Sequence, residues 1–199
     1  DAMLKAAQQK SSRSETEHAL LLFLYNTGAR VSEVAELKIG DLQIDGGGGS
    51  HALATLHGKG GKIRQCPLWP ETVRVLARLV DGRAADEAVF LSRLREPFTR
   101  FGVYWLIERC AARVPALAGR NVTPHVIRHT TACHLVLAGV DINTVRAWLG
   151  HVSINTTNIY AEIDFTLKAN AVALCEVGQP RSRRPWKEDK NLMAFLKSL

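Results

Sequence analysis

The 199-residue sequence predicts an α+β fold, mainly helical, with one small antiparallel sheet early on and a helical tail at the end. Three observations predict it. Three short β-prone runs, Leu42 to Ile44, Ala52 to Leu56 and Ile63 to Leu68, alternate with glycine-rich segments. From Pro70 onward the apolar residues fall at helical spacing, punctuated by capping residues and glycines. The segment Gly-Gln-Pro-Arg-Ser-Arg-Arg-Pro, from Gly178 to Pro185, then reads as a linker to an amphipathic stretch, Trp186 to Leu199.

Each element has its own signal. Residues 1–13 read as polar, basic and frayed. Ser14 and Glu17 are spaced as a capping box before the apolar run Ala19 to Tyr25. Gly28 can end that helix in a left-handed turn. A short second helix is expected near Ser32, with Val31, Val34, Ala35 and Leu37 facing inward. Between the first two strands, Gly46-Gly47-Gly48-Gly49-Ser50 reads as a flexible loop. A natural glycine-rich hairpin and an inserted linker both fit it. Gly58-Lys59-Gly60-Gly61-Lys62 makes the second turn, where glycine permits positive φ. Helices are expected over Pro70 to Val80 and over Thr99 to Ala112. Thr123-Pro124 places a cap before proline at the first helical position, and that helix runs to Ala138 and stops at Gly139. Asp141 caps the next, which stops at Gly150, and Ser153 caps a third carrying Tyr160. The domain reading is one body over residues 1–178, followed by a linker and C-terminal helix over 179–199.

Composition narrows the function classes. Lysine and arginine number 26 against 19 acids, giving a net charge of +7 and a pI near 9.5. That balance suits a polyanionic partner, of which nucleic acid is the commonest. No run approaches the ~18 apolar residues of a membrane span, and no secretory segment opens the chain, which begins Asp1-Ala2-Met3. These features predict a cytoplasmic protein. Cys66, Cys110, Cys133 and Cys175 are scattered, without a C-x-x-C, as expected for reduced thiols.

Six residues carry chemistry. His125 and Arg128 lie three apart and share a helix face. The imidazole can donate to one phosphate oxygen while the guanidinium takes another. Arg30, on a tight turn between two helices, can project into a cleft. Lys59, on the glycine-rich turn, is a mobile charge and a proton donor for a leaving alkoxide, with Lys62 near enough to compete. His151 follows the helix stop at Gly150. Tyr160 supplies a hydroxyl that can attack phosphorus once cations lower the cost of its phenolate form. His125, His129 and Cys133 have the residue types of a zinc site. But no glutamate intervenes as in H-E-x-x-H, and Arg128 would repel the ion, so neither metal nor cofactor is expected.

Taken together these residues resemble the tyrosine recombinase (phage integrase) family. Thr27-Gly28-Ala29-Arg30-Val31-Ser32-Glu33 resembles its first box, and Gly58-Lys59-Gly60-Gly61-Lys62 its hairpin lysine motif. Thr123-Pro124-His125-Val126-Ile127-Arg128-His129, Leu149-Gly150-His151 and Thr156-Thr157-Asn158-Ile159-Tyr160 match the remaining three. The resemblance implies a catalytic domain whose Tyr160 forms a 3′-phosphotyrosyl bond at a recombination site in double-stranded DNA. Arg30 and Arg128 would clamp the non-bridging oxygens with help from His151. His125 would hydrogen-bond the phosphate or handle the tyrosine proton, and Lys59 would protonate the departing 5′ oxygen. It implies, too, an upstream helical core-binding domain outside this sequence. It further implies self-association into a tetramer on DNA through the tail, work at the bacterial nucleoid, and no need for ATP or a divalent ion. Two other readings stay open: a type IB topoisomerase, which makes the same attack without partner strands, and a silent DNA-binding module.

Overall fold

The computed structural model describes residues 2–7, 12–44, 52–58 and 60–150; side chains 12–14 are not included. Lys59, His151, Tyr160, Cys175, the Gly46–Ser50 loop, the Ser153 helix, the 178–185 linker and the Trp186–Leu199 segment lie outside the described residues. The chain runs α1 (Ala2–Ala7), α2 (Ser12–Thr27), α3 (Val31–Ala35), β1 (Leu42–Gln43), β2 (Leu53–His57), β3 (Ile63–Pro67), α4 (Pro70–Val80), α5 (Arg100–Ala112), α6 (Pro124–Leu137) and α7 (Ile142–Leu149). It is mostly helical with one three-stranded antiparallel sheet in the order β1-β2-β3.

Helix α2 is the centre of the core. Ala19, Leu20, Leu21, Leu22, Phe23 and Leu24 are consecutive and all buried. A helix apolar on every side needs neighbours on every side, and α1, α4, α5 and α6 all pack on it. Facing it, α5 buries Val103, Leu106, Ile107 and Cys110, the four apolar positions its spacing predicts.

Two expectations fail at the N-terminus. Ser14 does not cap a helix start, because α2 already begins at Ser12. Glu17 is buried and holds an ion cluster with α5: Arg109 bonds its Oε1, Arg113 its Oε2 at 2.8 Å, and the Cys110 thiol Oε2 at 3.6 Å. Burial, helped by the Glu17 charge, pushes the Cys110 thiol up to about 11. The first residues are likewise not frayed throughout. Ala2–Ala7 forms α1, which packs on α2 and α5 with Ala7 buried and Met3 and Leu4 against the core. Those apolar side chains outweigh the polar average of the segment.

The other boundaries follow the expected chemistry. The Thr99 hydroxyl accepts from the Gly102 amide at 3.1 Å, and the Thr123 hydroxyl from the Val126 amide at 3.3 Å before Pro124. Asp141 accepts from the Asn143 and Thr144 amides. Gly150 ends α7 at φ 63°, in the left-handed region. Cys66, Cys110 and Cys133 are free thiols. No helix among the described residues is long and apolar enough to cross a membrane.

Candidate active site

The site is built where two helices end and others begin. Helix α2 stops at Gly28 (φ 58°), whose amide bonds Leu24 O at 2.8 Å. An added Cβ there would stand 2.6 Å from Leu149 Cδ2, so the close approach of α2 and α7 requires glycine. The last carbonyls of a helix have no partners within it. In α2 they are taken by other elements: Thr131 donates to Tyr25 O at 2.8 Å, Trp148 to Asn26 O at 3.3 Å, and Arg128 to Gly28 O.

Helix α7 ends the same way, and here three arginines donate, beside a weak contact from the Cys66 thiol to Trp148 O at 3.7 Å. Arg64 Nε bonds Trp148 O at 2.9 Å, Arg128 Nη2 bonds Leu149 O, and Arg30 Nη2 bonds Gly150 O at 3.0 Å. Three successive carbonyls at the negative end of a helix dipole thus face three guanidiniums from β3, α6 and the turn before α3. This arrangement fixes the backbone that leads directly into His151.

Glu33 ties these cations together. It is buried, and its carboxylate accepts from Arg64 Nη1 and Nη2 at 2.6 and 2.8 Å, from Arg30 Nη1 at 2.9 Å and from the Arg30 amide at 2.7 Å. Burial alone would push this carboxyl up. The Arg64 guanidinium and the Arg30 contacts overcome that and hold it below its ordinary value. Glu33 therefore stays ionised and locks the Arg30 side chain in place. Among the sequence motifs Glu33 appeared only as a flanking residue, and Arg64 not at all.

Arg30, His125 and Arg128 come together, as the sequence reading requires. With Ala29, Val31, Ser32, Arg100 and Pro124 they line one cavity of about 200 Å³. Liquid water occupies roughly 30 Å³ per molecule, so the space can admit a phosphodiester group. Arg128 is buried, Arg30 is half-buried and His125 is exposed at the start of α6. The α5 and α6 N-termini meet at this cavity and add their positive dipole ends.

Lys59 lies outside the described residues, but its turn does not. Gly60 and Gly61 have φ of 77° and 71°, and the Gly58 amide bonds Lys62 O at 2.6 Å. A Cβ on Gly58 would sit 3.4 Å from Glu33 Oε1, so the base of the lysine turn abuts the same carboxylate. His134, which the sequence left without a role, bonds the Tyr25 hydroxyl at 2.5 Å. Among the described residues no group of three or more His, Cys, Asp and Glu side chains is placed to hold a metal ion.

Comparison with known proteins agrees with this geometry. Residues 1–166 match the model of the phage integrase family. The tyrosine recombinase XerC of Lacticaseibacillus casei is 32% identical over 170 residues, covering 81% of this chain and 55% of that protein. The crystal structure of XerA recombinase superposes with a TM-score of 0.72 at 25% identity, over 88% of this chain and 62% of that one. XerH recombinase, solved bound to its difH substrate before cleavage, shares the fold at a TM-score of 0.69 and 24% identity, over 88% of this chain and 52% of that one. The chain spans 55–60% of the length of the first curated relatives it matches. With the family model matched over most of its length and a cationic cavity lined by two of its motifs, this chain belongs to the phage integrase family.

Proposed function

We propose that the chain is the catalytic domain of a site-specific DNA recombinase that cuts and rejoins strands through a 3′-phosphotyrosyl intermediate. One observation carries the reading. Arg30 and Arg128, distant in sequence, meet His125 around a cavity of phosphate size, held there by Glu33 and the end of α7.

The chemistry then divides among named atoms. Arg30 and Arg128 bind the two non-bridging oxygens, and His151 assists them. The Tyr160 hydroxyl attacks phosphorus in line, forming the P–O bond to tyrosine as the bond to the 5′ oxygen breaks. Its proton passes to His125 or to water, and Lys59 gives a proton to the departing 5′ oxygen. Charge that grows on the equatorial oxygens meets fixed guanidiniums and two helix N-termini, so little reorganisation is needed at the moment of reaction. The ester bond keeps its energy, and a 5′ hydroxyl from another strand can reverse the step. Neither ATP nor a divalent ion enters this scheme.

The partner is double-stranded DNA at a recombination site, and self-association into a tetramer on that DNA brings strands together. Residues 1–178 form the catalytic domain, and 179–199 supply a tail that docks in cis or on a neighbouring protomer. The working place is the bacterial cytoplasm, at the nucleoid.

A suicide duplex nicked beside the scissile phosphate tests the reading. The chain should form a denaturation-resistant protein–DNA adduct that vanishes in Tyr160→Phe and in Arg30→Ala. An equal adduct in Tyr160→Phe removes Tyr160 as nucleophile. Relaxation of supercoiled DNA without sequence preference would favour a type IB topoisomerase instead.

A further inference from the structure

Among the described residues that line the cationic cavity, Arg100 is the one that no motif contains. It is the first residue of α5, next to the Thr99 cap, and lines the same space as Arg30, His125 and Arg128. Its placement costs stability. A cation at a helix N-terminus opposes the dipole, and α5, 13 residues long, has no acidic residue in its first turn to offset it. Arg30 has Glu33 and Gly150 O, and Arg64 has Glu33 and Trp148 O. Arg100 forms no ion pair among the described residues and is exposed. A third guanidinium lining the same cavity, at the positive end of a helix dipole, gains most when an anion fills that space.

We infer that Arg100 grips the DNA backbone at the phosphate next to the one held by Arg30 and Arg128, and so sets the strand's position along the cleft. The inference rests on the recombinase reading. It separates two tasks: Arg30 and Arg128, half-buried and buried, are rigidly anchored for the reacting diester, whereas Arg100, long and exposed on the rim, reaches the adjoining one. A contact to phosphate carries no sequence information and acts on position and affinity.

The test uses the full chain and a fluorescent duplex of random sequence, with binding measured across a salt series. Removing one phosphate-binding cation lowers the slope of log K against log salt by about 0.9. Arg100→Ala should therefore bind more weakly at low salt, and its deficit should shrink by about 3.5-fold between about 50 and 200 mM salt. Arg100→Lys should keep the wild-type slope. Arg78→Ala, which removes an exposed arginine on α4, should keep it as well. The thermal midpoint of Arg100→Ala should equal or exceed that of wild type, because the dipole conflict is relieved.

An Arg100→Ala slope equal to wild type overturns the inference. So does an equal loss in Arg78→Ala, a deficit that differs between two random duplexes, or a marked fall in thermal midpoint. The nicked-duplex adduct assay, run in parallel on wild type, keeps the two claims apart. An adduct with unchanged slopes removes only the Arg100 contact. A slope difference without any adduct removes only the strand-transfer reading.

Discussion

Arg64→Ala probes the framework of the site without touching a residue proposed to meet DNA. The Arg64 side chain is 11% exposed and Glu33 1% exposed, so the pair is desolvated. The substitution removes two bonds to Glu33 and the Nε bond to Trp148 O. Breaking one side of a buried pair costs about 3–5 kcal/mol, because the remaining charge is left uncompensated. Glu33 retains the Arg30 guanidinium and amide, which places the loss near the low end, about 3 kcal/mol. For a domain of this size each kcal/mol moves the thermal midpoint by roughly 2–4 °C, so a fall of roughly 6–12 °C is expected by circular dichroism. The double variant Glu33→Gln with Arg64→Ala should lose less than the sum of the two single losses, since neither member of the Glu33–Arg64 pair is then left charged without the other. A fall under about 2 °C, or strictly additive losses in the double variant, would refute the network.

The same carboxylate sets an acid dependence. Glu33 titrates below its ordinary value of 4.5 in the folded chain, so its contribution is full above that value and is lost as pH falls through the lower, folded one. The gap in stability between wild type and Arg64→Ala should hold above the ordinary value of 4.5 and narrow as pH falls below it, which denaturant titrations will show. Gly28→Ala forces a side chain into the left-handed region and against Leu149. The backbone term alone is about 1–2 kcal/mol, and melting curves should fall by at least roughly 2–8 °C. Arg128→Lys cannot span Gly28 O and Leu149 O with a single ammonium. Its adduct formation on the nicked duplex should drop by about 10²-fold or more, and a rate within a few-fold of wild type would contradict the assigned role.

Much of this was legible in the sequence because it is local. Thr123-Pro124, Asp141, Gly28 and Gly150 act within one helical turn, so a short window of residues shows each boundary. The shared face of His125 and Arg128 follows from helical spacing alone. What stayed hidden is tertiary. Glu33 and Arg64 lie 31 residues apart, and no local pattern pairs an acid on α3 with a base on β3. Arg100 belongs to no motif, and its place at the cavity follows only from where the fold puts the start of α5. The Ser14–Glu17 spacing misled for the opposite reason. It matched a local rule, but Glu17 gains more from Arg109 and Arg113 across the core than from a cap. In α1, Met3, Leu4 and Ala7 find apolar partners on the core that a polar average conceals.

The most direct test is to denature the trapped protein–DNA adduct, digest it and identify the peptide that carries the nucleotide. The account predicts a phosphotyrosyl remnant on Tyr160, joined to the 3′ side of the cut, and its absence from Arg30→Ala. A remnant on any other residue, or one joined to the 5′ end, would contradict it.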